Sequence, residues 1–201
     1  MKDIFKRKRA SKNIKKSYII FCEWESEKYY FSELKKDYKS IQIDCKLLQN
    51  RDFEWAAQEV KKFIKWKNFD RIFCVLDRNR LTQASYEKGK KNLEEIRNAF
   101  LIYSNKSFEV RLLMHFNKFN KSVNSEDEYW KFLKKYDPSF EKPYEWSYTF
   151  LKDKLEKAVE NAEKVNEEQL LMHRNNKFLA EPYTDIPIII RKIREDFWSI
   201  N

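Results

Sequence analysis

The sequence contains a single glycine in 201 residues, together with four prolines. P-loops and dinucleotide-binding loops need several glycines, because a backbone without side chains must pass close to the phosphates. Both kinds of nucleotide-binding fold are therefore excluded. No apolar run approaches the length of a membrane-spanning helix. The charged amino terminus is not followed by an apolar stretch either, so we expect neither a membrane protein nor a signal peptide.

Cysteine and histidine are also scarce. The three cysteines (Cys22, Cys45 and Cys74) are odd in number, have no CxxC spacing and lie in apolar, strand-like segments. This pattern predicts buried, reduced thiols in a cytoplasmic protein. The two histidines, His115 and His173, form no recognisable Ser-His-Asp or Cys-His pattern along the chain.

Positive charge is abundant and unevenly distributed. The formal net charge is +10, and residues 1–16 alone carry +7. Such a basic arm favours contact with nucleic-acid phosphates through Coulomb attraction and counterion release. The alternative is that residues 1–16 are a solvated, disordered segment that binds no partner. The arm has no apolar face to insert into a bilayer, so we expect no membrane partner.

Length and periodicity predict one α/β domain over residues 17–201, with a core over about 17–120 and a helical addition over about 121–201. Short apolar runs predict strands at 17–22, 41–48, 71–76 and 100–103. Helical spacing predicts helices at 26–39, 52–67, 82–98, 105–119, 126–135, 147–167 and 185–199. Strands that alternate with helices form a mainly parallel sheet flanked by helices. Ser26 is the predicted N-cap of the first helix, and the charged stretch 152–169 is predicted to be a solvated helix.

Two of the predicted strands end abruptly on an acid. The run Tyr18–Cys22 is followed by Glu23, and the run Arg71–Leu76 is followed by Asp77. Parallel strands bring their carboxyl ends to one sheet edge, where α/β proteins bind ligands. Asn79 would point the same way as Asp77 in an extended segment, so three oxygen ligands could face one Mg²⁺. The alternative is that each acid merely ends its strand and faces solvent.

Other polar side chains follow the same strands. Arg78 and Arg80 suit phosphate contacts but are equally typical of surface charges. Glu109 falls in the first turn of a predicted helix and could reach back toward the acids, and Ser104 or Asn105 could cap that helix. His115 stands beside apolar residues, which is more typical of a core histidine.

Four blocks of the chain resemble the RloB-like protein family, which has a Toprim-related core. In that family a strand ends in Cys-Glu-Gly before a helix with a Tyr-Phe pair, and a later strand ends in Asp-x-Asp. A Ser-Asn-Pro-x-Phe-Glu block then leads to His-Phe. Finally, an Asn-Pro-x-Thr segment precedes the last helix. The corresponding blocks here are Phe21–Phe31, Phe69–Asn79, Ser104–Phe116 and Glu181–Asp185. They occur in order over nearly the whole chain.

The resemblance implies a metal-dependent nuclease that acts on RNA, including tRNA, or on DNA, in anti-phage defence of the abortive-infection kind. It implies Glu23 and Asp77 as ligands of Mg²⁺ or Mn²⁺, with Glu23 as general acid or base. From the residues themselves, we expect Asn79 to assist as a ligand and Glu109 to lie nearby, so that the predicted catalytic residues are Glu23, Asp77, Asn79 and Glu109. The residues predicted to contact nucleic acid are Arg7, Arg9, Lys16, Arg78, Arg80, Asn105 and His115.

The chain departs from the family pattern at three places. Trp24 replaces the glycine after the glutamate, Asn79 replaces the second aspartate, and Asn105-Lys106 replaces Asn-Pro. A bulky residue at the first position would crowd the turn, and the loss of an acid would weaken metal binding. Enzymatic activity therefore stays an open prediction. One alternative is a catalytically impaired nucleic-acid-binding or sensor subunit of a defence complex. Another is a protein–protein effector whose six tryptophans contact a larger partner subunit. A homo-oligomer is compatible with each of these functions.

Overall fold

The computed structural model describes residues 15–49, 53–78, 81–140 and 147–200. Most of the predicted basic arm, including Arg7 and Arg9, lies outside the described residues. Asn79 and Arg80 lie outside them as well, as does the predicted helix start at Asp52.

A five-stranded sheet forms the centre of the protein, in the order β2-β1-β3-β4-β5. The strands are β1 (Ser17–Cys22), β2 (Gln42–Leu47), β3 (Arg71–Asp77), β4 (Ala99–Asn105) and β5 (Tyr183–Thr184). The first four strands are parallel, and β5 pairs antiparallel with β4. The predicted α/β class with a mainly parallel sheet is therefore confirmed, and the arrangement is consistent with a Toprim-like fold.

Helices cover both faces of the sheet. They are α1 (Glu25–Leu34), α2 (Phe53–Ile64), α3 (Gln83–Glu94), α4 (Glu109–Met114), α5 (Glu126–Tyr136), α6 (Ser147–Leu151), α7 (Leu155–Met172) and α8 (Ile186–Ile200), with a short 3₁₀ turn at Lys152–Lys154. Helices α2 and α3 share a smaller core with one face of the sheet, and the other helices share a larger core with the opposite face. Within the described ranges, no helix is both long enough and apolar enough to cross a bilayer.

The central strands are apolar throughout because both of their faces are covered. Alternate residues of β1 enter the two cores: Ile20 joins the larger core, whereas Ile19 and Phe21 join the smaller one. The cysteines are free, as predicted; Cys22 and Cys74 are also buried as predicted, whereas Cys45 is only half-buried. Polar side chains can reach solvent or a ligand only where such strands end.

The single glycine serves close packing between α2 and α3. A Cβ atom at Gly89 would lie 2.6 Å from Cβ of Phe53 and 3.0 Å from its carbonyl oxygen. Any larger residue would therefore push these two helices apart.

Two predicted helices differ from the structure at their amino-terminal ends. Helix α1 begins at Glu25, so the predicted N-cap at Ser26 is wrong. Helix α4 spans only 109–114 rather than 105–119. It begins later than predicted because Ser104 and Asn105 are the last residues of β4. Neither caps the helix: the Ser104 hydroxyl pairs with that of Thr184 at 3.0 Å, across the short strand pair that sequence periodicity missed.

The prediction of a solvated helix over 152–169 is also wrong. Helix α7 buries one continuous face, made of Leu155, Ala158, Val159, Ala162, Val165 and Gln169. Apart from Gln169 these side chains are apolar but mostly small, so they produce little hydrophobic signal in the sequence. They nevertheless allow α7 to pack closely against α4 and α8. The carboxyl-terminal segment thus shares the main core and, through β5, extends the sheet.

Candidate metal centre at the carboxyl edge of the sheet

Glu23 and Asp77 lie side by side because β1 and β3 are neighbours in the sheet. A carboxylate oxygen of Glu23 accepts a hydrogen bond of 2.9 Å from the backbone N–H of Asp77. Only 5% of Glu23 and 4% of Asp77 is exposed to solvent. The acids do not simply face water, so the solvent-facing alternative does not describe this edge.

A third carboxylate, from Glu27, lies beneath this pair. Glu27 is fully buried, and its Oε2 atom accepts the backbone N–H groups of Glu23 at 2.7 Å and Trp24 at 3.2 Å. It thereby satisfies donors at the start of α1, the task predicted for Ser26. The sequence interpretation did not include Glu27. The available signal was its position three residues after Trp24, the N-cap of α1, where an acid reaches back to the backbone at the start of the helix.

Helix α4 adds a fourth acid. The backbone N–H of Phe108 donates to Oδ2 of Asp77 at 3.1 Å, which fixes the start of α4 against β3. The next residue, Glu109, is 5% exposed and occupies the first turn, as expected. Glu23, Glu27, Asp77 and Glu109 form what we call the acidic cluster.

Burial and mutual repulsion dominate the electrostatics of the acidic cluster. Burial raises the pKa of Asp77 well above its usual range, and the charges of Glu27, Glu23 and Glu109 raise it further. Burial and the charge of Glu23 likewise raise the pKa of Glu27. Neighbouring buried carboxylates of this kind become stable when they bind protons or a cation.

Two oxygens of the acidic cluster have no hydrogen-bond partner among the described residues: Oδ1 of Asp77 and Oε1 of Glu27. Carboxylate oxygens are the ligands that Mg²⁺ and Mn²⁺ prefer, so the cluster fits such an ion in donor chemistry and charge. Over the described ranges, however, no three His, Cys, Asp or Glu side chains are grouped as a ready metal site. The carboxylates would therefore have to approach one another to bind an ion.

The backbone at Trp24 does not require a glycine. Its φ of −128° and ψ of 160° are those of extended chain, which any residue adopts. Replacement of the family glycine by tryptophan therefore leaves the turn after β1 unstrained.

Arg78 and Asn105 occupy the same edge but differ in exposure. The guanidinium of Arg78 lies over the ring of Phe178, 4.6 Å from its centroid, and donates to Oδ1 of Asn105 at 3.3 Å. Asn105 is fully buried, and its amide donates to the carbonyls of Phe178 and Ala180 at 3.1 and 2.6 Å. Only Arg78 is accessible to a ligand, whereas Asn105 holds the 178–180 segment in place.

His115 is a core residue rather than a surface contact. It is fully buried; its Nδ1 donates to the carbonyl of Arg111 at 3.1 Å, and its Nε2 lies 3.4 Å from the Tyr30 hydroxyl. Burial and the charge of Arg111 hold its pKa well below the usual range, so the ring is neutral. In this conformation His115 cannot touch a nucleic acid.

Lys16 lies far from the acidic cluster. It precedes β1, at the amino edge of the sheet, and its Nζ pairs with Asp196 at 2.6 Å. Of the predicted nucleic-acid contacts that the structure describes, only Arg78 lies beside the acids and is partly exposed.

The family model described as RloB-like protein matches residues 18–193. This range contains all four blocks that resemble the family and every residue of the acidic cluster. No curated protein and no solved structure matches the chain. The chain belongs to the RloB-like protein family.

Proposed function

We propose that this protein is a nuclease that depends on Mg²⁺ or Mn²⁺ and cleaves RNA, including tRNA, or DNA in anti-phage defence. The acidic cluster carries the proposal: four buried carboxylates lie near the edge where parallel sheets bind ligands, and two of their oxygens have no partner among the described residues. Such a cluster is costly for the folded protein, which favours a functional role over a purely structural one. Family membership by itself does not specify the activity.

Glu23 and Asp77 would hold the ion, together with Glu27 and, from the sequence pattern, Asn79. A divalent ion held there would polarise a scissile phosphate and lower the pKa of an attacking water. The backbone N–H of Asp77 orients the Glu23 carboxylate, and that of Phe108 orients Asp77. In this proposal Glu23 also accepts a proton from the attacking water or donates one to the leaving oxygen. Arg78 neutralises charge on the backbone of the nucleic acid.

The test is cleavage of labelled RNA and DNA in the presence of Mg²⁺ or Mn²⁺. We expect Glu23→Gln and Asp77→Asn each to reduce the cleavage rate about 100-fold or more, because each removes a group from the reacting centre. Asp44→Asn is the matched control. Asp44 is also an acid on a strand, β2, but it forms an exposed ion pair with Lys67. Equal cleavage by wild type, Glu23→Gln and Asp77→Asn would reject the assignment of the site.

The second candidate is a nucleic-acid-binding or sensor subunit without cleavage activity. Asn79 supports it, because an amide stands where the family has a second aspartate. This candidate predicts salt-dependent binding that survives EDTA and does not need Glu23. Asn79→Asp separates the two: cleavage that appears only in this variant marks a degenerate active site, whereas cleavage by wild type supports the nuclease.

A further inference from the structure

Beside the acidic cluster, two cations converge on one carboxylate. Glu181 immediately precedes the Pro182-Tyr183 segment that enters β5. Its Oε2 lies 3.8 Å from Nη1 of Arg78, and its Oε1 lies 3.4 Å from Nζ of Lys106. Arg78 and Lys106, which we call the cationic pair, were not joined by any sequence pattern.

Contacts other than Glu181 also hold the cationic pair in place. Arg78 stacks on Phe178 and donates to Asn105, as described above. The ammonium of Lys106 donates to the carbonyl of Val123. If Glu181 moved away, both cations would therefore remain at the edge, and their positive charges would lose their counter-ion.

The cationic pair is reachable from solvent. About a quarter of each side chain is exposed, 27% for Arg78 and 28% for Lys106, whereas Glu181 is 14% exposed. The Glu181 carboxylate also accepts the backbone N–H of Val123 at 3.3 Å. An anion in the place of Glu181 would face both cations and this N–H group.

The position of Arg78 defines which part of a ligand would bind there. Asp77 and Arg78 are consecutive, and side chains alternate between the two faces of an extended chain. Asp77 contacts α4 on one face, whereas Arg78 contacts Phe178, which belongs to the smaller core on the other. An anion at the cationic pair would therefore lie next to the acidic cluster rather than on it.

We propose that Arg78 and Lys106 form a binding subsite for a phosphate that flanks the reacting one in a nucleic-acid strand, and that Glu181 occupies this subsite in the free protein. The proposal rests on the proposed function, since it takes a nucleic acid as the ligand of this edge. A phosphate presents several charged oxygens, so it can replace both ion pairs of the Glu181 carboxylate as well as its hydrogen bond with the Val123 N–H. Guanidinium groups also bind phosphate through paired hydrogen bonds. Glu181 then acts as an internal competitor that the substrate must displace.

The experiment measures binding of the full chain to a fluorescent oligouridylate and to an oligothymidylate of equal length, in EDTA, over a series of salt concentrations. We expect Glu181→Gln to bind at least about threefold more tightly than wild type at low salt, with a steeper salt dependence, because two cations become available to phosphates. Glu163→Gln is the matched control. It removes the same charge, from a carboxylate that pairs with Arg191 on α8 at 2.9 Å.

Equal affinities of Glu181→Gln and Glu163→Gln would overturn the proposal, as would the absence of binding to both probes. Adding Lys106→Met to Glu181→Gln should abolish the gain in affinity; a gain that persists would overturn the subsite. Should Glu181→Gln fail to fold, Lys106→Met in the wild-type background should still weaken binding, and unchanged binding would overturn the proposal. EDTA prevents metal-dependent cleavage, so these results do not depend on whether the protein is a nuclease.

Discussion

Two buried aspartates at opposite edges of the same sheet have opposite surroundings. At the amino edge, Asp196 accepts hydrogen bonds from Lys16 and from the Tyr18 hydroxyl, and lies 3.6 Å from Arg71. Burial alone would raise the pKa of Asp196, but the hydrogen bonds and the charges of Lys16 and Arg71 hold it below the usual range. At the carboxyl edge, Asp77 has other carboxylates as its charged neighbours, and its pKa is raised.

The difference shows which acid stabilises the fold. A buried acid surrounded by donors and cations contributes favourable interactions, whereas a buried acid beside other acids costs free energy. Asp196 fastens α8 to the beginnings of β1 and β3, so its role is structural. The carboxyl edge gains nothing from the repulsion at Asp77 unless a cation binds there, which is why we place the function at that edge.

The largest predicted effect on stability is at Asp196. Asp196→Asn should lower the free energy of unfolding at pH 7 by about 2 kcal/mol, because it leaves Lys16 and Arg71 without their shared partner. The pKa of Asp196 is lower in the folded protein, so this stabilisation is present above about pH 4 and is lost as the pH falls through the folded value. Urea unfolding across pH measures it. A difference that is independent of pH would contradict the ion-pair explanation.

The opposite change is predicted for Asp77. Asp77→Asn should raise the free energy of unfolding by about 1 kcal/mol at pH 8 in EDTA, because it removes a buried, repelled charge and keeps an oxygen for the Phe108 N–H. The pKa of Asp77 is higher in the folded protein, so wild type loses stability as the pH rises from about 4 toward that raised value. At low pH the free energies of unfolding of the two proteins should therefore converge.

Mg²⁺ provides the control for Asp77. Thermal unfolding should shift upward with added Mg²⁺ in wild type and less, or not at all, in Asp77→Asn, since a ligand that binds only the folded state stabilises it. Equal shifts in both proteins would place the ion elsewhere.

The smallest predicted effect concerns a buried cation. Arg111 on α4 is fully buried, and within the described ranges its three guanidinium nitrogens make no hydrogen bond of good geometry, although the Tyr30 hydroxyl is close enough to interact with it. Burial lowers its pKa. Arg111→Met should therefore be neutral or stabilise the protein by up to about 1 kcal/mol in urea unfolding, because Met fills the volume without a charge. Clear destabilisation would mean that the guanidinium has a counter-ion in the folded chain.

Local pattern predicted some parts of the fold and not others. The apolar runs of β1 and β3 identified both strands, because a strand covered on both faces must be apolar along its whole length. Strand β5 has only two residues, too few for any periodicity, and α7 buries small side chains that resemble a solvent-exposed helix. These elements depend on contacts with residues distant in sequence, about which local patterns carry no information.

The sequence by itself determined the sheet class, the family and the position of Glu23 and Asp77 at one edge, since each follows from residues adjacent along the chain. Tertiary structure decided what surrounds them: Glu27 turns back to bind the start of α1, His115 enters the core, and Glu181 bridges Arg78 and Lys106. The burial of a side chain, its hydrogen-bond partners and the charges around it depend on its neighbours in three dimensions. They therefore decide which acid stabilises the fold and which acid is destabilised by neighbouring charges.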